Sequence, residues 1–445
     1  VVHDPEVPGL HTNPPARAED RTPLRRVVGA SLIGTTIEWY DFFLYGSAAA
    51  LVFNRLFFPD YDPLVGTMLA FATYAVGFVA RPLGGIVFGH FGDRIGRKKL
   101  LMWSLVLMGV ATVLIGLLPT YAQIGVWAPI LLIVLRLVQG FAVGGEWGGA
   151  VLMAAEHGDA ARRGFWASWP QAGVAAGSLL SAGILALMAA FQSEADFLEW
   201  GWRVPFILSV VLVAVGWYIR NRVSESPMFE QALVETEVPP RLPAMEVIRE
   251  RPMAILLGSG LRVGENISYY ILTVFSLTYL VDVAAETRST ALNALLIAAV
   301  FQFFAIPLLA ALSDKIGRRP VYAFGGLGLA AYAFIFFPML ASGNSALIVL
   351  AIVLGLILHS AMYGPQAAFI TELFPTRIRY SGVSIAYQLT SIVAGSLAPI
   401  IALWLYTEYE SATPVAIYVA VACVISGVSA LLARETRGLE LAEIR

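Results

Sequence analysis

"GHFGDRIGRKK" at residues 89–99 and "ALSDKIGRRP" at residues 311–320 are two copies of one short loop. Asp93, Gly96 and Arg97 recur at Asp314, Gly317 and Arg318, each 221 positions on. A second pair, "AEHGDAARRG" (155–164) and "TELFPTRIRYSG" (371–382), repeats Glu156 and Arg163 at Glu372 and Arg379, each 216 positions on. Two correspondences at nearly one offset predict a unit duplicated as parallel repeats. What surrounds the loops gives the nature of that unit.

The 445 residues are 58% hydrophobic and 13% charged, with a mean hydropathy of +0.73. A soluble domain is about a quarter charged, so this composition belongs in a membrane. About 20 apolar residues of helix cross a hydrocarbon core, and the chain holds about twelve such runs between residues 28 and 433. The predicted fold is therefore an all-α integral membrane protein, with twelve transmembrane helices in two six-helix pseudo-symmetric lobes. The boundaries read as a disordered arm (1–26), a first lobe (27–221), a linker (222–251), a second lobe (252–433) and a short tail (434–445). The arm lacks the apolar core and small-residue cleavage site of a secretory signal. Arginines and lysines concentrate in alternate loops, which places the arm, linker and tail in the cytoplasm of a multi-pass plasma-membrane protein. The single Cys423 forms no intrachain disulfide.

The repeated loop reads as a tight turn between two helices with an Asp at a helix end. Its arginines can pair with that Asp and with the acid that ends the fourth or tenth span. Asp93, Arg97, Glu156, Asp314, Arg318 and Glu372 are thus candidate gates that hold helix ends together in one state and release them in another. A basic loop that merely sets topology is the alternative.

Charged residues inside the spans need a separate reason, because each costs roughly 2.5–3.5 kcal/mol near a bilayer centre. Glu38 and Asp41, in "IEWYDFF" (37–43), share one flank of the first helix with Tyr45. They are the first candidates for carrying a proton, and a structural ion pair with Arg81 or Arg136 is the alternative. Arg136 lies near the middle of the fourth span, Gln139 one turn further, and Glu146 beyond it as another proton candidate or a tether for gate arginines. In "SGLRVGENISYYILTVF" (259–275, in the seventh span), Arg262, Asn266, Tyr269, Tyr270 and Thr273 draw one polar stripe, with Glu265 on its edge. His359, Tyr363 and Gln366, then Tyr380, Ser384, Tyr387, Gln388 and Ser391, form fainter stripes open to either cavity lining or helix packing. A fixed guanidinium in each half suits a small anion, since its planar fork holds two carboxylate oxygens. The expected binding residues are Arg136, Arg262, Gln139, Asn266, Tyr269, Tyr363 and Gln388.

The segments "GTTIEWYDFFLYG", "RPLGGIVFGHFGDRIGRK", "RLVQGFAVGGEWGGA", "EWGWRVPFILS" and "SESPMF" together resemble the metabolite:proton symporter family of the major facilitator superfamily. That resemblance implies an alternating-access carrier, working as a monomer, that takes up a small organic acid with a proton and uses no cofactor beyond the proton gradient. Known substrates in the family include shikimate, α-ketoglutarate, citrate and proline or betaine. A zwitterion symporter, a proton-antiport exporter and a non-transporting receptor are the other readings. No Gly-rich nucleotide loop follows a strand, and the five histidines do not cluster with carboxylates. Neither an enzyme nor a nucleic-acid-binding protein is expected.

Overall fold

The computed structural model describes residues 24–95, 97–144, 160–222, 243–375 and 379–439. Among these residues the chain forms helices and no strand. In lipid, a helix satisfies every backbone donor and acceptor within itself, so an apolar chain of this kind has few other choices. The first half comprises α1 (Leu24–Ala48, continued to Phe57), α2 (Pro63–Ile95), α3 (Arg97–Leu117), α4 (Trp127–Val143), α5 (Arg163–Phe191) and α6 (Arg203–Arg222). The second half comprises α7 (Pro252–Tyr270, continued to Val283), α8 (Arg288–Ile316), α9 (Arg318–Leu340), α10 (Ser345–Thr371), α11 (Arg379–Thr390, continued to Tyr409) and α12 (Thr413–Leu432).

Eight of these segments are long and apolar enough to cross a membrane, and a ninth qualifies if the bent pair ending in α6 is one span. Among the described residues, Glu38 and Asp41 interrupt the apolar run of α1, and α3 and α4 contribute the shorter apolar stretches Met102–Leu117 and Trp127–Val143. Prolines sit inside α2, α5, α8, α9, α10 and α11, which membrane helices tolerate because neighbours re-satisfy the freed carbonyls.

Helix α5 packs on α1 within its own half and on α8 and α10 of the other, and α2 packs on α4 and on α11. These crossings join the two halves along their length. Large apolar side chains such as Trp103, Phe304, Leu308 and Phe324 point outward from the bundle, as a lipid-facing surface requires. In α1, α7 and α11 the helix relaxes into π turns at Ala49–Phe53, Ile271–Phe275, Tyr279–Val283 and Ser391–Gly395. Such turns interrupt the regular ladder most often at functional sites, and α1, α7 and α11 all carry candidate residues.

The repeated loop is tighter than its sequence suggests. Helix α8 runs to Ile316, so Asp314 lies in its last turn, and α9 restarts at Arg318 after Gly317 alone. Gly317 adopts φ 109°, a backbone conformation open to glycine and strained for other residues. The copy in the first half is likewise helical up to Ile95 and again from Arg97.

Candidate functional site

In the first half the site is built on α1, α3, α4 and α6. Asp41 on α1 accepts a hydrogen bond from Ser209 of α6 (2.7 Å to Oδ1) and one from Thr112 of α3 (3.0 Å to Oδ2). The Thr112 hydroxyl also accepts from Gln139 Nε2 at 2.7 Å, and Gln139 Oε1 accepts from Arg136 Nη1 at 3.0 Å. Asp41 and Arg136 are therefore linked through two neutral side chains rather than by direct contact. The Arg136 guanidinium lies over the rings of Phe42, Tyr45 and Tyr74, at 4.5, 4.3 and 4.8 Å. Cation–ring attraction of this kind partly offsets burial of the charge. Its Nε and Nη2 have no hydrogen-bond partner although the residue is 1% exposed. Arg81 also lies over the Phe42 ring, at 4.4 Å, and Glu38, Asp41, Arg81 and Arg136 line one cavity of about 10 Å³. That is room for no more than a single water.

The position of Arg136 depends on α2 approaching closely. A Cβ on Gly77 would lie 2.6 Å from Arg136 Nε, and one on Gly140 would lie 2.0 Å from the Gly77 carbonyl oxygen. Gly77→Ala is accordingly expected to push the guanidinium off its aromatic seat. Overpacking costs typically 1–3 kcal/mol, so the melting temperature of the purified protein should fall by a few degrees. An unchanged melting temperature would show that α2 does not set the place of Arg136.

In the second half the cluster is denser. Arg262 Nη1 donates to Glu265 Oε2 (3.0 Å) and to Gln366 Oε1 (2.9 Å), its Nη2 donates to Ser391 (3.3 Å), and the group stacks 3.4 Å above the Tyr387 ring. Gln366 Nε2 donates to Glu265 Oε2 and to the Tyr322 hydroxyl. Glu265 Oε1 is 3.2 Å from His359 Nε2, and His359 Nδ1 is 3.2 Å from Gln302 Nε2. All eight of these polar side chains are buried.

Aromatic residues meet between the two clusters. Tyr270 contacts Phe42, Tyr74 and Phe78, and Tyr269 contacts Phe43 and His359. Asn266 is buried with its Oδ1 unpartnered. Tyr363 lies against His359, and its carbonyl accepts from Gln171 across the halves. Gln388 reaches the Gly144 carbonyl at 3.4 Å and leaves its Oε1 without a partner.

At both ends of this cleft described residues of the two halves meet. At the end carrying the repeated loop, Asp314 receives the backbone N–H groups of Gly164 and Phe165, the first turn of α5, at 2.9 and 2.8 Å. A carboxylate there caps orphan donors and meets the positive helix end. Arg163 crosses to Glu372 at 2.9 Å, and Glu372 also meets Arg318 (3.4 Å) and Thr436. At the opposite end Arg288 of α8 reaches the Leu51 carbonyl (3.3 Å) and Glu194 (3.5 Å), which Arg55 also holds.

The expected grouping of Asp314, Arg318 and Glu372 is thus present. Glu146 and Glu156 lie outside the described residues, as do the side chains of Asp93 and Arg97. Sequence reasoning placed Glu265 on the edge of its stripe and passed over Thr112, Ser209 and Gln302. Only the three-residue spacing of Arg262 and Glu265 carried a signal.

Twelve helices around a buried, charged cleft between two halves, bridged at both ends by described residues, are the build of a membrane transporter. The sugar (and other) transporter family matches residues 27–238 and 242–445, and the chain belongs to that family, within the major facilitator superfamily. It is 43% identical to the shikimate transporter of Escherichia coli K12 over 93% of this chain and 95% of that protein. It is 35% identical to the proline/betaine transporter of Salmonella typhimurium LT2, over 93% and 84%. Among solved structures it resembles a D-xylose-proton symporter, with a TM-score of 0.74 at 20% identity, covering 94% of this chain and 100% of that one. The fold is the twelve-helix, two-lobed one, and the protein is a multi-pass transporter rather than an enzyme.

Proposed function

We propose that this chain imports a small organic acid anion together with one proton, by alternating access. The observation that carries the reading is the open edge of Arg136. Nε and Nη2 form the side-on fork of a guanidinium, and here both are buried without a partner. Buried donors are nearly always satisfied, and a planar carboxylate fits that fork with two hydrogen bonds.

Charge supports the proton. Among the described residues the cleft holds Arg81, Arg136 and Arg262 against Glu38, Asp41 and Glu265, three charges of each sign when all are ionised. An added monoanion leaves an excess negative charge in low dielectric, and one proton removes it. A zwitterion adds no net charge, so the same balance gives it no need of a proton. Asp41 is the proposed carrier of that proton, with Glu38 and Glu146 as the further candidates. Asp314, Arg318 and Glu372, with their first-half counterparts Asp93, Arg97 and Glu156, are the proposed gate. In this reading the gated end, both termini and the 222–251 linker face the cytoplasm, with lobes at 27–221 and 252–433.

Shikimate is the first substrate to try, from the relative that bears its name. In proteoliposomes with an inward proton gradient, shikimate is expected to accumulate about tenfold per pH unit, since one unit is worth about 1.4 kcal/mol. Potassium-diffusion potentials should leave the rate nearly unchanged, because anion and proton together carry no charge. Accumulation of proline or betaine alone would overturn the anion reading, and shikimate accumulation indifferent to the gradient would overturn the coupling.

A further inference from the structure

Two of the cleft arginines differ in one respect. Arg136 presents an open fork, whereas Arg262 already holds a carboxylate, that of Glu265 three residues on. We infer that Glu265 is a built-in stand-in for the substrate anion on Arg262: it neutralises Arg262 in the empty carrier and gives way to a further oxygen of the anion whose carboxylate rests on Arg136. This rests on the anion reading above and adds how the empty site is held.

The physical need is clear. A carrier that delivers net uptake must return empty, and an uncompensated guanidinium buried in the cleft is strongly destabilising. Glu265 supplies the missing charge from the same helix. The geometry also makes its release a small step. Glu265 Oε1 already rests 3.2 Å from His359 Nε2. With Gln302 Nε2 donating to Nδ1, the ring carries its proton on Nε2 and donates it to Glu265. When a substrate oxygen takes over Arg262 Nη1, Glu265 keeps its seat on His359. Gln366, which accepts from Arg262 and donates to Glu265, spans both partners through the exchange. The net charge of the loaded cleft is unaltered, because the proton balances the anion wherever Glu265 rests.

The test uses the full chain with shikimate as probe and reads binding, net uptake and exchange separately. Removing an internal competitor raises affinity by the inverse of the competent fraction, so Glu265→Gln should bind shikimate about tenfold more tightly. The same variant should keep shikimate–shikimate exchange, which needs no empty return, and lose net uptake by at least about tenfold. Glu265→Asp, which keeps the charge, should recover much of the net uptake. His359→Leu should weaken binding, since the displaced carboxylate loses the donor that His359 Nε2 supplies. Weaker binding in Glu265→Gln, with net uptake and exchange falling in parallel, would overturn the inference and reduce Glu265 to a prop for Arg262. That outcome leaves the anion reading intact if the native protein accumulates shikimate with the gradient. A native protein that binds and moves no carboxylate would overturn both.

Discussion

Asp41→Asn is expected to bind shikimate and exchange it across the bilayer, yet to lose the roughly tenfold accumulation per pH unit that a one-proton symporter sustains. The change is nearly isosteric, and an amide oxygen can still accept from Ser209 or Thr112, which hold the native carboxylate at 2.7 and 3.0 Å. What goes is the ionisable charge. With Asp41 neutral, the empty cleft has three guanidinium groups against two carboxylates, and only the anion-loaded form is balanced. Exchange between loaded forms therefore continues while empty return stalls. The measurement is the shikimate accumulation ratio against imposed pH gradient, read beside counterflow. Accumulation equal to the native protein's would move the proton away from Asp41. Asp41→Asn and Glu265→Gln differ in binding: only the latter removes a competitor from Arg262, so the affinity gain belongs to it.

The parts legible in the sequence are those carried by local spacing or by the internal duplication. The apolar runs place the helices, and Arg136 with Gln139 three residues on becomes a hydrogen bond. The repeat led to Asp314, Arg318 and Glu372, which do meet. What the sequence withheld are contacts made across the bundle. Asp41 looked like an ion-pair candidate for Arg81 or Arg136, but its partners are hydroxyls on α3 and α6, residues 71 and 168 positions away. Thr112 and Ser209 are ordinary in membrane helices, so nothing local marks them. Arg163 was visible as a member of the repeat, whereas its pairing with Glu372 of the opposite half depends on how α5 meets α10. Glu265 sat at the margin of a stripe drawn with ideal helical periodicity. Its importance comes from His359 and Gln366, 94 and 101 residues on.

Arg262→Lys is expected to weaken shikimate binding by about tenfold to a hundredfold, in line with roughly 1.5–3 kcal/mol for hydrogen bonds to charged groups. Charge is conserved in this variant, so the balance that favours one proton per anion persists and the loss reports geometry. The guanidinium reaches Glu265, Gln366 and Ser391 at once while lying flat on Tyr387. A lysine ammonium is a compact point charge that cannot form that planar array. It should still attract Glu265 electrostatically, so empty return is retained and the maximal rate of gradient-driven uptake falls less than the affinity. Equilibrium binding of labelled shikimate to purified protein, compared with uptake at saturating shikimate, separates the two effects. Equal affinity in the lysine variant would assign Arg262 to holding α7, α10 and α11 together, and the anion would then rest on Arg136 alone. The contrast between the two arginines makes that outcome informative, because Nε and Nη2 of Arg136 make no hydrogen bond to any group that Arg262 holds.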